Sequence, residues 1–168
     1  HLFFGASDTA DYTHRILNII REITDKHSIF LDVVISSSYQ GSILPSRTSF
    51  GNLSFLRNPD SLLPSLMESD IAIGAGGISC LERCSIGIPS INICAAENQR
   101  NTLEMLNNNK AIRFIDPKSI DWVDNLCQHL LDLIENKAAR EQCTRACLEL
   151  NLSQGSDLII DEMLNFHD

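Results

Sequence analysis

No stretch of this sequence is apolar for long enough to cross a bilayer, which takes roughly 20 consecutive apolar residues. No N-terminal stretch has the pattern of a signal peptide, so the expected location is cytoplasmic. Positive charge is scarce: 13 Lys and Arg stand against 22 Asp and Glu, for a net charge of −9. That balance excludes a DNA or RNA partner and an anionic membrane surface, each of which needs a basic face. It leaves room for a small anion, because backbone amides can hold one locally. The six cysteines include no CxxC pair, and no histidine falls at ligand spacing beside the i, i+4 pairs Cys80/Cys84 and Cys143/Cys147. They read as reduced, small apolar residues, with no metal and no cofactor. Repeats, low-complexity segments and internal boundaries are all missing.

What is there suits one α/β domain. The 168 residues can bury a sizeable core, and 43% apolar with 21% charged residues is ordinary for a globular protein. Leu2 to Phe4 reads as a first strand, ending at Gly5-Ala6-Ser7-Asp8. A helix is expected from Asp11 to Thr24, where Ile16, Leu17, Ile19, Ile20 and Ile23 fall at helical spacing. Phe30 to Ile35 has the continuous branched run of a buried parallel strand. A loop follows over Ser36 to Arg47, then a short strand over Leu53 to Leu56. Asn58-Pro59-Asp60 should open a helix with Leu62, Leu63, Leu66 and Met67 on its inner face. Further on, a helix is expected over Asn98 to Asn107 and a last strand over Ala111 to Ile115. Val123, Leu126, Cys127, Leu130 and Ile134 form one helical stripe. Ala139, Cys143, Ala146, Cys147 and Leu150 form a second, and a final helix is expected over Ser156 to Phe166. Strands alternating with helices predict a doubly wound parallel sheet. The chain starts almost directly in a strand. It is therefore expected to be a single domain, residues 1–168, from a two-domain protein, with His1 either native or a tag remnant.

The most informative stretch runs from Ile71 to Gln99. The strand Ile71-Ala72-Ile73 leads into Gly74-Ala75-Gly76-Gly77. Ser79 with Glu82 three residues later has the pattern of a capping box opening a helix. Gly87 and Pro89 should end that helix, and Ile91 to Cys94 reads as the next strand. The polar cluster Glu97-Asn98-Gln99 follows it. Glycines admit a ligand close to backbone N–H groups, and a helix start aims its free N–H groups and positive dipole end at the same point. A phosphate fits there without a lysine. One glycine would suffice for a tight βα turn, so three in four residues favour a phosphate or nucleotide site. In such sheets ligands lie beyond the carboxyl ends of the strands. The loops Gly5 to Asp8 and Gly74 to Ser79, with the Glu97-Asn98-Gln99 cluster, can converge there on one crevice.

Asp70-Ile71-Ala72-Ile73, Gly76-Gly77, Glu82, Gly87, Pro89 and Asn98-Gln99 together resemble the C-terminal domain of the UDP-sugar hydrolase of pseudaminic-acid biosynthesis. More broadly the run resembles the nucleotide-binding half of GT-B glycosyltransferases, including the lipid II N-acetylglucosaminyl transferase. The N-terminal FFGASD is similar to the family's Gly-Gly-Ser-Asp phosphate loop. The likeness covers Leu2 to about Leu106. Ala6 departs from a usual glycine, Thr9 from a proline, and Leu81 from a tryptophan. The resemblance implies a Rossmann-like, GT-B C-terminal fold that binds UDP or a UDP-sugar. Gly76, Gly77 and Ser79 would face the diphosphate, and Gly5, Ser7 and Asp8 would close its other side. Asn98 and Gln99 would reach the phosphates or the sugar, and Glu82 would hold the ribose. Backbone groups at Leu56 and Arg57 would read the base. It also implies an N-terminal GT-B domain that supplies the catalytic histidine, as in the hydrolase. His14, His27, His129 and His167 lie outside the crevice loops, so no catalytic residue is assigned here, and the isolated chain is expected to be inactive.

Three readings compete. The first is the UDP-binding half of a nucleotide-sugar hydrolase, with a GT-B glycosyltransferase as its close variant, water or an alcohol being the acceptor. The second is an NAD-binding module, since Gly74 to Ser79 partly matches GxGxxG and Glu97 lies about twenty residues on. Ser79 replaces its third glycine, however, and the motif is not at the first strand. The third is a degenerate, non-catalytic domain, which Ala6 favours.

Overall fold

The computed structural model describes residues 1–44 and 52–152. The helix expected over Ser156 to Phe166 and the end of the loop after the second strand lie outside these residues. In chain order the elements are β1 (Leu2–Phe3), α1 (Tyr12–Lys26), β2 (Leu31–Ile35), β3 (Leu53–Arg57), α2 (Leu63–Met67), β4 (Ala72–Ala75) and α3 (Ile78–Ser85). They continue with β5 (Ser90–Ile93), a 3-10 turn (Glu97–Gln99), α4 (Arg100–Asn108), β6 (Arg113–Ile115), α5 (Trp122–Glu135) and α6 (Lys137–Glu149). The six strands form one parallel sheet in the order β3-β2-β1-β4-β5-β6. This is the doubly wound, Rossmann-like sheet that the alternation of strands and helices predicts. Its order reverses between β1 and β4, where Leu2 faces Ile73 and Phe3 faces Gly74.

Crossovers of one hand send helices to opposite faces on either side of that reversal. One face buries α1 and α5 through Ile16, Leu17, Ile20, Leu126, Leu130 and Leu133 against Leu2, Val33, Ile91 and Ile93. The other buries Cys80 and Cys84 of α3 with Leu103 and Leu106 of α4 and the pair Ala111 and Ile112. Each such aliphatic side chain contributes about 1.5–3 kcal/mol by leaving water. The last helix divides its stripe. Ala139 and Cys143 join the first core while Cys147 joins the second, so α6 closes the edge beside β6. Cys143 and Cys147, four residues apart, thus pack into different cores. All six cysteines are free and five are buried, as small packing residues.

Three local expectations need correction. Only Leu62 and Leu66 turn inward around α2, which is a single turn; Leu63 and Met67 are 47% and 71% exposed. The Ser79–Glu82 capping box does not form: α3 is capped by Gly77 in extended conformation, with no side-chain cap. Gly76 is pressed against Leu103, so the chain turns at Gly77 and the helix begins before Ser79. Asn98 lies in the 3-10 turn, and α4 begins at Arg100. The other end of α3 is as expected. Gly87 takes a φ of 75°, its N–H donates to the Cys84 carbonyl at 3.0 Å, and the Ile88 N–H donates to the Arg83 carbonyl at 3.0 Å.

The glycines of the central loop have different jobs. A Cβ on Gly74 would lie 2.3 Å from the Phe3 carbonyl oxygen and 2.8 Å from Arg83 Nη1. One on Gly76 would meet the Leu103 side chain at 2.5 Å. Packing alone demands both. A Cβ on Gly77 would meet nothing closer than Gln99 Nε2 at 3.8 Å, so packing leaves that position open. Gly74→Ala is therefore expected to destabilise the chain by about 1–3 kcal/mol through overpacking. Gly77→Ala should change stability by less than about 1 kcal/mol. Urea unfolding of both variants checks this, and equal midpoints would refute the distinction.

Candidate functional site

The reversal of strand order makes a crevice beyond the carboxyl ends of β1 and β4, the place where open parallel sheets bind ligands. Gly5, with a φ of 91°, turns the chain out of β1, and nothing lies within 4 Å of where its Cβ would be. Ala6 and Ser7 are exposed there. Across the reversal, Gly77 and the start of α3 present N–H groups with no side-chain cap. Ser79 is the second residue of that helix and is half-buried. The cluster after β5 reaches the same point. Gln99 accepts the Ala95 N–H through Oε1 at 3.1 Å, which leaves its amide nitrogen facing Gly77. Asn98 is exposed beside it.

Glu82, exposed four residues along α3, lines a crevice of about 740 Å³ with Ala6, Ser36, Asn58, Asp60 and Ser61. The crevice thus joins the loops after β1, β2 and β3 to one side of α3. The base-side assignment lands at its margin. Leu56 and Arg57 end β3, and the Arg57 guanidinium folds back over the Phe55 ring at 5.9 Å from its centroid. The next residues, Asn58 to Leu63, form the wall. Asn58, at a φ of 47°, is fixed there by donating its N–H to the Ile35 carbonyl at 2.8 Å.

Asp8 is placed differently from a phosphate neighbour. It is 7% exposed, and its carboxylate accepts the N–H groups of Tyr12 at 2.9 Å and Thr13 at 2.8 Å. Both oxygens are spent on the free start of α1, although Asp11 is the residue that formally precedes the helix. Asp11 in turn accepts the Tyr39 hydroxyl at 2.8 Å and the Ser42 N–H at 3.1 Å, tying the loop after β2 to α1.

Two groups here go beyond the motif reading. One is a surface network built on Glu97 of the polar cluster: Glu97 accepts from Arg100 at 2.9 Å and from Lys118 at 2.8 Å, and Arg100 also meets Asp116 at 2.9 Å. The Lys118 ammonium, then the Arg100 guanidinium, hold the Glu97 carboxyl below the usual range. The other is Arg83, fully buried under the end of β4. Its Nη2 donates to the Ala75 carbonyl at 2.7 Å and to Asn92 Oδ1 at 2.5 Å, and Asn92 Nδ2 donates to Ser90 Oγ at 2.8 Å. Burying such a cation costs several kcal/mol unless it is paired. One signal for Arg83 was in the sequence: it lies three residues after Cys80, on the face of α3 that also carries Cys84.

No protein-family model matches the chain, and no curated protein matches it. Solved structures do, at the level of the fold. The glycosyltransferase of kitacinnamycin is 18% identical with a TM-score of 0.67, over 95% of this chain and 42% of that one. MurG of Acinetobacter baumannii is 13% identical with a TM-score of 0.66, over 98% of this chain and 49% of that one. A Streptomyces glycosyltransferase complexed with thymidine diphosphate is 11% identical with a TM-score of 0.51, over 89% and 36%. The chain therefore shares its Rossmann-like fold with part of each of these glycosyltransferases and spans less than half the length of each. Among the described residues no helix is long and apolar enough to cross a membrane.

The capping role of Asp8 is testable. Asp8→Ala should lower stability by about 1–2 kcal/mol, with Asp8→Asn losing less because one acceptor remains. Urea midpoints measure both, and an unmoved midpoint for Asp8→Ala would remove the carboxylate from this role.

Proposed function

We propose that this chain is the nucleotide-sugar-binding half of a two-domain, GT-B-type enzyme that transfers or hydrolyses a glycosyl group. One juxtaposition carries the reading: the uncapped start of α3 at Gly77 with the Gln99 amide turned toward it, and Glu82 one turn along the same helix in the adjoining crevice. A nucleoside diphosphate matches that layout. Its diphosphate takes the helix start and the amide, and its ribose reaches Glu82. The base then lies against Asn58 to Ser61, not against Leu56 and Arg57. Gly5 and Ser7 line the diphosphate from the β1 side, and Ser79 adds its N–H. In this reading the protein's role in the reaction is to fix the leaving group and stabilise its developing charge, while a second domain brings the acceptor and the base. The chain alone binds UDP weakly and turns nothing over.

Glycosyl transfer is the better-supported chemistry, since most of the fold neighbours are glycosyltransferases, although one is named as a UDP-N-acetylglucosamine 2-epimerase. One of the glycosyltransferases carries thymidine diphosphate, a ligand of the same class. The narrower reading is a UDP-sugar hydrolase of pseudaminic-acid-like biosynthesis. It rests on the sequence resemblance at Gly76-Gly77, Glu82, Gly87, Pro89 and Asn98-Gln99. An NAD module is disfavoured, because Gly74 and Gly76 are packing glycines and not a phosphate fingerprint.

Glu82 tests the reading. Glu82 makes no capping box, so Glu82→Ala should leave stability nearly unchanged. It should weaken UDP by about 1–3 kcal/mol, as for hydrogen bonds to a charged group. The preference for UDP over its 2′,3′-dideoxy analogue should vanish with it. Calorimetric titration of both nucleotides into both proteins decides the matter: a mutant that discriminates as well as the parent does not use Glu82 for the ribose.

A further inference from the structure

Among the described residues, Arg83 is a buried cation with no carboxylate in contact: it is fully inaccessible, and its hydrogen bonds go to neutral oxygens. Its Nη2 is held by two neutral oxygens, Ala75 O and Asn92 Oδ1, while Nε and Nη1 find no hydrogen-bond acceptor. On its own helix the thiols of Cys80 and Cys84 act on it most, and the exposed Glu82 carboxylate acts on it less, without contact. Both thiols are pushed above the ordinary cysteine range, Cys80 by the neighbouring Cys84 thiol and by burial, and Cys84 chiefly by the Cys147 thiol. They stay protonated near neutrality and cancel none of the charge. An arginine keeps its proton throughout this range.

The position of this charge gives it a use. Ala75 is the last residue of β4, and the chain goes directly from its carbonyl into Gly76 and Gly77 at the start of α3. The guanidinium lies against Gly74, where any side chain would strike it. A fixed positive charge therefore sits under the loop whose N–H groups face the crevice, on the same side as the positive end of the helix dipole. We propose that Arg83 is a positioning residue for a dianionic ligand group. It holds the Ala75 carbonyl and so aims the Gly76–Gly77 amides, and its charge, which no carboxylate contacts among the described residues, selects a diphosphate over a neutral or singly charged group. The inference rests on the nucleotide reading above and adds to it the source of selectivity for ligand charge.

Asn92→Asp tests it with little change of shape. It keeps an acceptor for Nη2, the Ser90 hydroxyl can donate in place of the lost amide, and a carboxylate now neutralises Arg83. Arg83→Gln removes the charge by a second route while retaining a donor for Ala75, so either variant that folds by circular dichroism decides the question. The readout is the ratio of UDP to uridine affinity by calorimetry on the full chain. The expected result is a fall of about tenfold in that ratio, with uridine affinity little changed. A folded variant that keeps the parent ratio overturns the role of the charge and leaves the nucleotide reading intact. Equal loss of UDP and uridine overturns it as well, since that marks a structural role only. A parent chain that binds UDP no better than uridine overturns the nucleotide reading itself, and this inference with it.

Discussion

The close approach of β1, β4 and Arg83 is the contact on which the site depends. Gly74 lies against the Phe3 carbonyl in the register that joins the two halves of the sheet, and its missing side chain makes room for the guanidinium. The guanidinium then reaches forward to the Ala75 carbonyl and across to Asn92 of β5. One small residue thus allows three strands and a helix to meet at the strand-order reversal. A methyl group there would push β1 from β4 or Arg83 from Ala75, and either movement would redirect the loop that opens α3.

The two sides of that loop are built by different physics. Behind it, Leu103 of α4 presses on Gly76, and the C-terminal motif at Gly87 fixes the far end of α3, so the helix has little freedom to slide. In front, Gly77 and the first helical N–H groups have no side-chain partner, in contrast to the start of α1, where Asp8 satisfies the equivalent groups. The protein caps α1 with a carboxylate and leaves the start of α3 without a side-chain cap, on either side of the strand-order reversal. A carboxylate at the second position would repel an anionic ligand, so the difference has a direct chemical consequence. In the proposed reading, lining up the helix start with the Gln99 amide and Glu82 puts a phosphate at one end and a ribose at the other.

The peripheral elements support this frame without entering it. The α6 helix places Cys143 in one core and Cys147 in the other, closing the sheet beside β6. The network of Glu97, Arg100, Asp116 and Lys118 fastens the turn after β5 to the loop after β6. Its pairs are largely exposed, so its value lies in holding Gln99 near Gly77 more than in overall stability.

The sequence by itself determined the parallel α/β class, most element positions, the stop of α3 at Gly87 and the loops beside the crevice. These are local or periodic properties: branched apolar runs make buried strands, helical spacing makes stripes, and glycine takes positive φ at low cost. The strand order, and with it the approach of Gln99 to Gly77, was decided only in three dimensions, because pairing partners are far apart in the chain. The same holds for what each glycine does. Gly74, Gly76 and Gly77 look alike as letters, yet two are filled against neighbours and one is open, since a close approach depends on Phe3, Arg83 and Leu103. Ser79 beside Glu82 carried a genuine local capping signal, which lost to the packing that starts the helix at Gly77. The burial of Arg83 depended most on tertiary structure: its place on the inner face of α3 was legible, but the neutral oxygens of Ala75 and Asn92 that hold it, with no carboxylate in contact among the described residues, followed from how the folded sheet was set around it.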